Sequence, residues 1–305
     1  MRAKQHIASF FVVFIVFVWL YSVDIAHKTA GGPQIMTQPD IASIASCAME
    51  LANTARALAR THFRQVTAYD RKADDSPVTV ADRAIEAALR AILLGRFPEH
   101  AILGEEEGLS GDSRNLWALD PIDGTKSFMT GFPLFGALIA FTRDRLPTLG
   151  VIEIPATGER WSAYSGQTFF AQDGQEHRVS VSACQSLENA RVYTTSPDCF
   201  SAADLERYNS LSRQAAVRRY GGDCYIYGLL ASGFCDLVVE ASLQPYDYLA
   251  LVPVVQNAGG IITDWQGQPL GLHSTGQVVA AATPALHARA LDALHASITF
   301  AAPTW

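Results

Sequence analysis

The chain has 305 residues, and its 23 Lys and Arg against 30 Asp and Glu give a formal net charge of −7. Hydrophobic residues make up 49% of the chain and charged residues 17%, which excludes a disordered protein and supplies a sizeable core. The acidic balance also argues against a nucleic-acid partner, because such binding depends on clustered Lys and Arg. The five cysteines are scattered without a close pair, so we expect reduced, mostly buried thiols.

The N-terminal region contains an apolar stretch without charge, Ile7–Val23, which follows Arg2 and Lys4. As a helix it would span about 26 Å, close to the thickness of a bilayer core. Three roles stay open for it: a signal-anchor, a signal peptide, or an upstream extension with no part in catalysis. An anchor or signal would carry the rest of the chain out of the cytoplasm, whereas an extension leaves it there. We treat residues 1–35 as a separate segment and residues 36–305 as one catalytic domain.

Periodicity predicts two amphipathic helices at the start of the domain. One is capped by Asp40 and runs to about Phe63, and the other starts near Ala81 and is stopped by Gly95 and Pro98. Short apolar runs between turn residues then predict strands at Ala101–Leu103, Leu116–Leu119, Leu134–Thr142, Thr148–Ile154, Arg160–Tyr164, Thr168–Ala171 and Arg178–Val181. Further strands are predicted at Arg191–Thr194, Asp236–Glu240, Gly260–Asp264 and Gln277–Ala282, and helices at Ala202–Arg213, Tyr225–Ala231, Tyr246–Asn257 and Pro284–His295. This order predicts an α/β fold with mixed sheets layered between helices.

Acidic residues gather where these elements begin or end. Glu105 follows one predicted strand, Asp120 and Asp123 follow another, and Asp82 and Asp247 begin helices. Ligand groups collect at such positions in layered α/β folds. Each feature alone is common in a solvated turn or a helix cap, so the prediction of a site rests on all of them together.

The segment DPIDGT combines two kinds of ligand group. Its turn can aim the carboxylates of Asp120 and Asp123 and the carbonyl of Ile122 at a common point, and such hard oxygens suit Mg²⁺. Carboxylates gathered without a matching Lys or Arg repel one another, so a bound cation is needed to balance their charge. Gly124 and Thr125 can open a helix whose N–H groups favour a phosphate. The combination predicts metal-assisted hydrolysis of a small phosphorylated substrate.

The sequence resembles the inositol monophosphatase-like superfamily of Mg²⁺-dependent phosphatases in three ordered motifs: Gly104–Glu106, Asp120–Thr125, and Asp247 ahead of Ala258–Gly260. Two longer segments, Asp120–Ala140 and Pro245–Leu270, resemble the histidinol-phosphatase branch of that superfamily. In the inositol branch a Trp-Asp usually stands where Tyr246 and Asp247 stand here. The resemblance implies a five-layered αβαβα fold, two or three Mg²⁺ ions and a homodimer.

The resemblance also implies metal ligands at matching positions. Glu105, Asp120 and the Ile122 carbonyl are expected to hold one Mg²⁺. Asp120, Asp123 and Asp247 are expected to hold the second, so that Asp120 bridges the two ions.

Catalytic roles carry over in the same way. Thr125, hydrogen-bonded to Asp82, is expected to orient and deprotonate the attacking water together with Glu105. The N–H groups of Gly124 and Thr125 are expected to hold the phosphate. Lys72 fits a basic residue near the metal loop, although an exposed lysine there is an equally good interpretation.

Substrate choice is expected to come from the second half of the domain. Glu240 matches the family position that contacts the non-phosphate part of the substrate. Acidic contacts from Glu240 and Asp223 suit the amine and imidazole of histidinol phosphate, because charge-assisted hydrogen bonds are strong. Arg219 either approaches the phosphate or forms a structural salt bridge.

We therefore predict a Mg²⁺-dependent phosphomonoesterase that hydrolyses histidinol phosphate to histidinol and phosphate, a step of histidine biosynthesis. One alternative is a phosphatase acting on inositol monophosphate or another small phosphate ester. A second is a non-catalytic metal-binding protein of the same fold, which the complete set of ligands and Thr125 disfavours.

Overall fold

The protein is described by a computed structural model over residues 40–65, 70–71 and 77–296. The apolar stretch at residues 7–23 and Lys72 lie outside these residues, so the roles suggested for them, and the boundary at residue 35, stay predictions. None of the helices in the described part of the chain combines the length and the apolar character needed to cross a membrane. All five cysteines are unpaired, and three of them are buried, as predicted.

The helices form where apolar side chains recur every three to four positions. In the described residues they are α1 (Ile41–His62), α2 (Val80–Arg96), α3 (Thr125–Met129), α4 (Ala202–Ser212), α5 (Tyr225–Ala231), α6 (Pro245–Tyr248), α7 (Leu251–Asn257) and α8 (Pro284–His295). The single helix predicted over residues 246–257 was wrong, because the chain forms α6 and α7 there. Pro253 has no N–H to donate to the carbonyl of Leu249, which explains the break.

The strands pair into two large sheets and one short ribbon. They are β1 (Asp70–Arg71), β2 (Pro77–Val78), β3 (Ala101–Gly104), β4 (Gly108–Ser110), β5 (Leu116–Asp123), β6 (Gly136–Arg143), β7 (Leu146–Ile154), β8 (Glu159–Tyr164), β9 (Gln167–Gln172), β10 (Gln175–Arg178), β11 (Arg191–Thr194), β12 (Val217–Tyr220), β13 (Leu237–Glu240), β14 (Ile261–Thr263) and β15 (Val278–Ala281). The first sheet has the order β10-β9-β8-β7-β6-β5-β3-β4 and the second has the order β12-β11-β13-β15-β14. The strand predicted at residues 178–181 was misplaced, since β10 ends at Arg178.

The five layers pack around three apolar cores. Helices α1 and α2 pack on one face of the first sheet, around Trp117. Helices α5 and α7 lie between the two sheets, around Trp161, and α4 and α8 cover the outer side of the second sheet, around Trp265. Each of these tryptophans is at most 1% exposed. The arrangement confirms the predicted αβαβα fold.

The first sheet brings two of the acidic motifs side by side. Strands β3 and β5 run parallel, with Gly104 paired with Leu119. Glu105 follows Gly104 and Asp120 follows Leu119, so these two acidic residues come together toward the C-terminal ends of the paired strands. Helix α6, which carries Asp247, packs against β5 and β6 at the same place.

Candidate active site

Asp120 and Asp123 lie inside β5 and not in a turn after it, which corrects the sequence prediction. Residues three apart on a regular strand point to opposite faces. Here the pairing with β6 shifts register between Asp120 and Asp123, and the Ile122 N–H donates to Asp120 Oδ1 at 3.0 Å. This bulge turns both carboxylates toward the same side, so that they meet Asp247 with ligand oxygens within 4.8 Å of one another.

Asp247 is fixed by its own helix start. It is the third residue of α6, and its Oδ2 accepts a hydrogen bond from the Gln244 N–H at 2.7 Å in a capping box. This contact leaves the rest of the carboxylate directed toward Asp120 and Asp123. The helix therefore supplies a ligand from the second half of the chain to a group built on the first sheet.

A second acidic group forms beside the first. Asp82, Glu105 and Glu106 bring carboxylate oxygens within 4.8 Å of one another. Asp82 is not the N-cap of α2: Thr79 takes that position, and its N–H donates to Asp82 Oδ2 at 2.8 Å. Glu106 was missed by the sequence analysis, although it belongs to the same Gly-Glu-Glu motif as Glu105.

Asp120 joins the two groups, because it interacts with both Glu105 and Asp247. Burial, and then repulsion from Glu105, Asp123 and Asp247, hold the pKa of the Asp120 carboxyl well above its usual range. Burial likewise raises the pKa of Asp123 far above normal and that of Asp247 to about 7. Buried carboxylates that repel one another in this way are ready to share a cation.

The loop after β5 departs from the prediction in one contact. The hydroxyl of Thr125 donates to the Ile122 carbonyl at 3.2 Å, so the hydrogen bond predicted from Thr125 to Asp82 is replaced. Gly124 has a left-handed backbone with φ of 84°, and a Cβ there would lie 2.7 Å from the carboxylate of Asp223. Glycine is thus required both by the turn and by the close approach of Asp223.

These groups line a cavity of about 290 Å³. The predicted site residues in its lining are Glu105, Asp123, Gly124, Thr125, Asp223, Glu240 and Asp247. Polar residues that the sequence analysis did not single out also line it: Lys126, Thr195, Ser196, Cys199 and Ser242. Most of them follow β11 or β13, so the rule that ligand groups lie after strands would have pointed to them.

Glu240 and Arg219 occupy very different environments. Glu240 is 4% exposed, and its two oxygens accept hydrogen bonds from the Thr195 N–H at 2.9 Å and the Tyr227 hydroxyl at 2.8 Å. Burial raises the pKa of its carboxyl. Arg219 is exposed on the edge strand β12 and does not belong to the cavity lining, so the predicted approach to the phosphate is not seen.

Asp223 is the more accessible of the two predicted specificity residues. It is half-buried in the cavity wall, and its Oδ2 accepts a hydrogen bond from the Ser127 hydroxyl at 2.8 Å. Burial raises the pKa of its carboxyl, and the nearby charge of Lys126 opposes that rise. Asp223 can therefore offer a carboxylate oxygen to a ligand in the cavity.

Comparison with known proteins places these features in a family context. A family model described as the inositol monophosphatase family matches residues 40–299. A chloroplastic bifunctional phosphatase of Arabidopsis thaliana is 40% identical over 272 residues, which are 86% of this chain and 78% of that protein. A histidinol-phosphatase of Mycobacterium tuberculosis is 38% identical over 225 residues, which are 72% of this chain and 86% of that one. The solved structure of an inositol monophosphatase from Zymomonas mobilis matches with a TM-score of 0.76 and 42% identity, covering 84% of this chain and 99% of that chain.

Proposed function

The chain belongs to the inositol monophosphatase family of metal-dependent phosphatases, and we propose that it hydrolyses histidinol phosphate to histidinol and phosphate with Mg²⁺. Members of this family act on small phosphorylated substrates. The observation that carries the proposal is the meeting of Asp120, Asp123 and Asp247 beside a cavity of about 290 Å³.

The donor set fits divalent cations that prefer oxygen. We assign Glu105, Asp120 and the Ile122 carbonyl to one Mg²⁺, and Asp120, Asp123 and Asp247 to a second. All these donors are oxygens, and the mutual repulsion that raises the pKa of Asp120 is the charge excess that a cation relieves. When bound, Mg²⁺ supplies Lewis-acid polarisation of a phosphate oxygen and lowers the pKa of a water molecule.

The chain's own groups complete the chemistry. The carboxylate of Glu105 accepts a proton from the attacking water. The hydroxyl of Thr125 donates to the Ile122 carbonyl, so its oxygen lone pairs are available to accept a hydrogen bond from that water and orient it. Gly124 and Thr125 line the cavity, and their N–H groups would donate hydrogen bonds to the phosphate of a bound substrate. Lys126 adds positive charge at the cavity wall.

The preference for a cationic substrate rests on charge. Lys126 is the one basic side chain in the cavity lining of the described residues, against five carboxylates, two of which, Asp223 and Glu240, lie outside the proposed metal ligands. An amine or imidazolium gains charge-assisted hydrogen bonds there. The alternative substrate, inositol monophosphate, is supported by the 42% identity to the Zymomonas mobilis protein.

A substrate panel tests the proposal. We expect kcat/KM for phosphate release with Mg²⁺ to be higher for histidinol phosphate than for inositol 1-phosphate or fructose 1,6-bisphosphate. The variant Asp223→Asn keeps the shape of the side chain and removes its charge, so it should lower kcat/KM for histidinol phosphate by about tenfold or more and that for inositol 1-phosphate by less. A wild-type preference for inositol 1-phosphate would establish the alternative.

A further inference from the structure

We propose that Glu86 is a positioning residue for the metal site, which sets the place of Glu105 through the backbone of the loop that follows β3. The inference rests on the proposed function. Asp82, Glu86 and Arg90 are spaced four residues apart on α2 and therefore share one face of that helix. Asp82 belongs to the acidic group with Glu105, and the other two residues bind the loop itself.

Glu86 is fully buried, with 0% exposure, and within the described residues its carboxylate accepts hydrogen bonds from donors alone. Its Oε2 accepts the Glu106 N–H at 2.7 Å, and its Oε1 accepts the Glu107 N–H at 3.0 Å. Arg90 Nε donates to the same Oε1 at 2.8 Å, while Arg90 Nη2 donates to the Gly108 carbonyl at 2.6 Å. One buried ion pair thus binds the backbone on the C-terminal side of Glu105.

The strand side of the loop is built to receive this carboxylate. A Cβ on Gly104 would lie 2.0 Å from Glu86 Oε1, so any other residue would push the carboxylate out of place. On the opposite side, the Glu105 N–H donates to the Leu119 carbonyl at 3.2 Å, next to Asp120. Glu105 is therefore held between β5 and α2. The absence of a side chain at Gly104 leaves the space that the Glu86 carboxylate occupies.

A carboxylate is needed at this position because it meets only donors. An amide at residue 86 would turn its NH₂ group toward a backbone N–H or toward Arg90, and one of the two loop bonds would be lost. The loop would then no longer fix Glu105 against Asp120. Groups that orient metal ligands in this indirect way typically account for about 10–100-fold in metal affinity.

The test is direct counting of bound Mn²⁺, an oxygen-preferring cation, by electron paramagnetic resonance. Glu86→Gln should raise the Mn²⁺ dissociation constant by about tenfold. The Mg²⁺ concentration needed for half-maximal phosphate release should rise in parallel, and turnover at saturating Mg²⁺ should recover most of the wild-type value. The melting temperature is measured on the same samples.

The matched control is Asp236→Asn. Asp236 is also a buried carboxylate, 1% exposed, and it forms an ion pair with Arg191. It directly precedes β13, whereas Glu240, which lines the cavity, is the last residue of that strand. It should lose stability and keep wild-type Mn²⁺ affinity. If Glu86→Gln does not fold, the Mn²⁺ affinity of Arg90→Lys tests the proposal in its place. Lysine keeps the positive charge beside Glu86 but loses the hydrogen bond to the Gly108 carbonyl, so we expect weaker Mn²⁺ binding.

The outcomes separate this inference from the proposed function. A folded Glu86→Gln or Arg90→Lys protein with wild-type Mn²⁺ affinity would overturn the role of Glu86 and leave the phosphatase intact. A wild-type chain that binds no Mn²⁺ would overturn the proposed function and this role together. If Glu86→Gln or Arg90→Lys lowers the melting temperature, as Asp236→Asn does, but leaves the Mn²⁺ affinity unchanged, the ion pair of Glu86 and Arg90 only stabilises the fold.

Discussion

Replacing Asp120 by Asn is expected to lower phosphate release by about 10³-fold or more while the protein stays folded. Asp120 is 2% exposed and interacts with Glu105 on one side and Asp247 on the other, so it is the one carboxylate shared by both proposed metal positions. Asn has the same shape but removes the charge that both cations need. The change also removes repulsion from the cluster, so the melting temperature of the metal-free variant should equal or exceed that of the wild type.

Asp144→Asn is the matched control for this substitution. Asp144 is exposed and pairs with Arg114, and its left-handed backbone with φ of 52° is one that Asn also adopts. This variant should keep wild-type turnover. An Asp120→Asn protein that retains wild-type turnover would show that the carboxylate cluster takes no part in the reaction.

Stabilisation of the protein by Mg²⁺ is expected to grow between about pH 5.5 and about pH 8. In the metal-free chain, burial raises the pKa of Asp247 to about 7 and also holds that of Asp120 well above its usual range. The folded chain therefore holds protons that the unfolded chain has already released, so its free energy of unfolding falls as the pH rises from about 4 to about 7. For Asp247 alone this loss is roughly 2–4 kcal/mol. Mg²⁺ binds the deprotonated carboxylates and reverses the loss.

The measurement is the rise in melting temperature caused by Mg²⁺ relative to EDTA at each pH. This difference cancels groups outside the site, such as His100 and His287, whose pKa values are lowered by burial. Asp120→Asn should show almost no Mg²⁺-induced rise at either pH. A rise in the wild type that is as large at about pH 5.5 as at about pH 8 would contradict the assigned protonation of the cluster.

The elements that the sequence predicted well are those whose own residues determine them. Helices α5 and α8 begin and end where periodicity and their flanking residues place them. The edge strand β12 was not predicted, because its residues, Val217–Tyr220, are all exposed and carry no apolar alternation. Its pairing with β11 comes from the sheet and not from local preference.

The site shows the same division. The acidic motifs were visible in the sequence because carboxylates without basic partners are unusual, and the structure brings Asp120, Asp123 and Asp247 together as expected. The bulge that turns Asp120 and Asp123 to the same side is a property of the pairing with β6, so the segment was interpreted as a turn. The ion pair of Glu86 and Arg90 escaped notice because charged residues on a helix are usually solvated, and only the packed loop shows that these two are buried.

The central claim is that carboxylates distant in sequence hold the divalent cations needed to hydrolyse a phosphate ester. The most direct measurement is phosphate release from histidinol phosphate by wild-type protein stripped with EDTA and then titrated with Mg²⁺. We expect no turnover in the stripped protein and full recovery on adding Mg²⁺. Full turnover in the stripped protein would contradict the claim, and so would a protein that binds Mg²⁺ yet releases no phosphate from any ester in the panel, which would then be a non-catalytic metal-binding member of the fold.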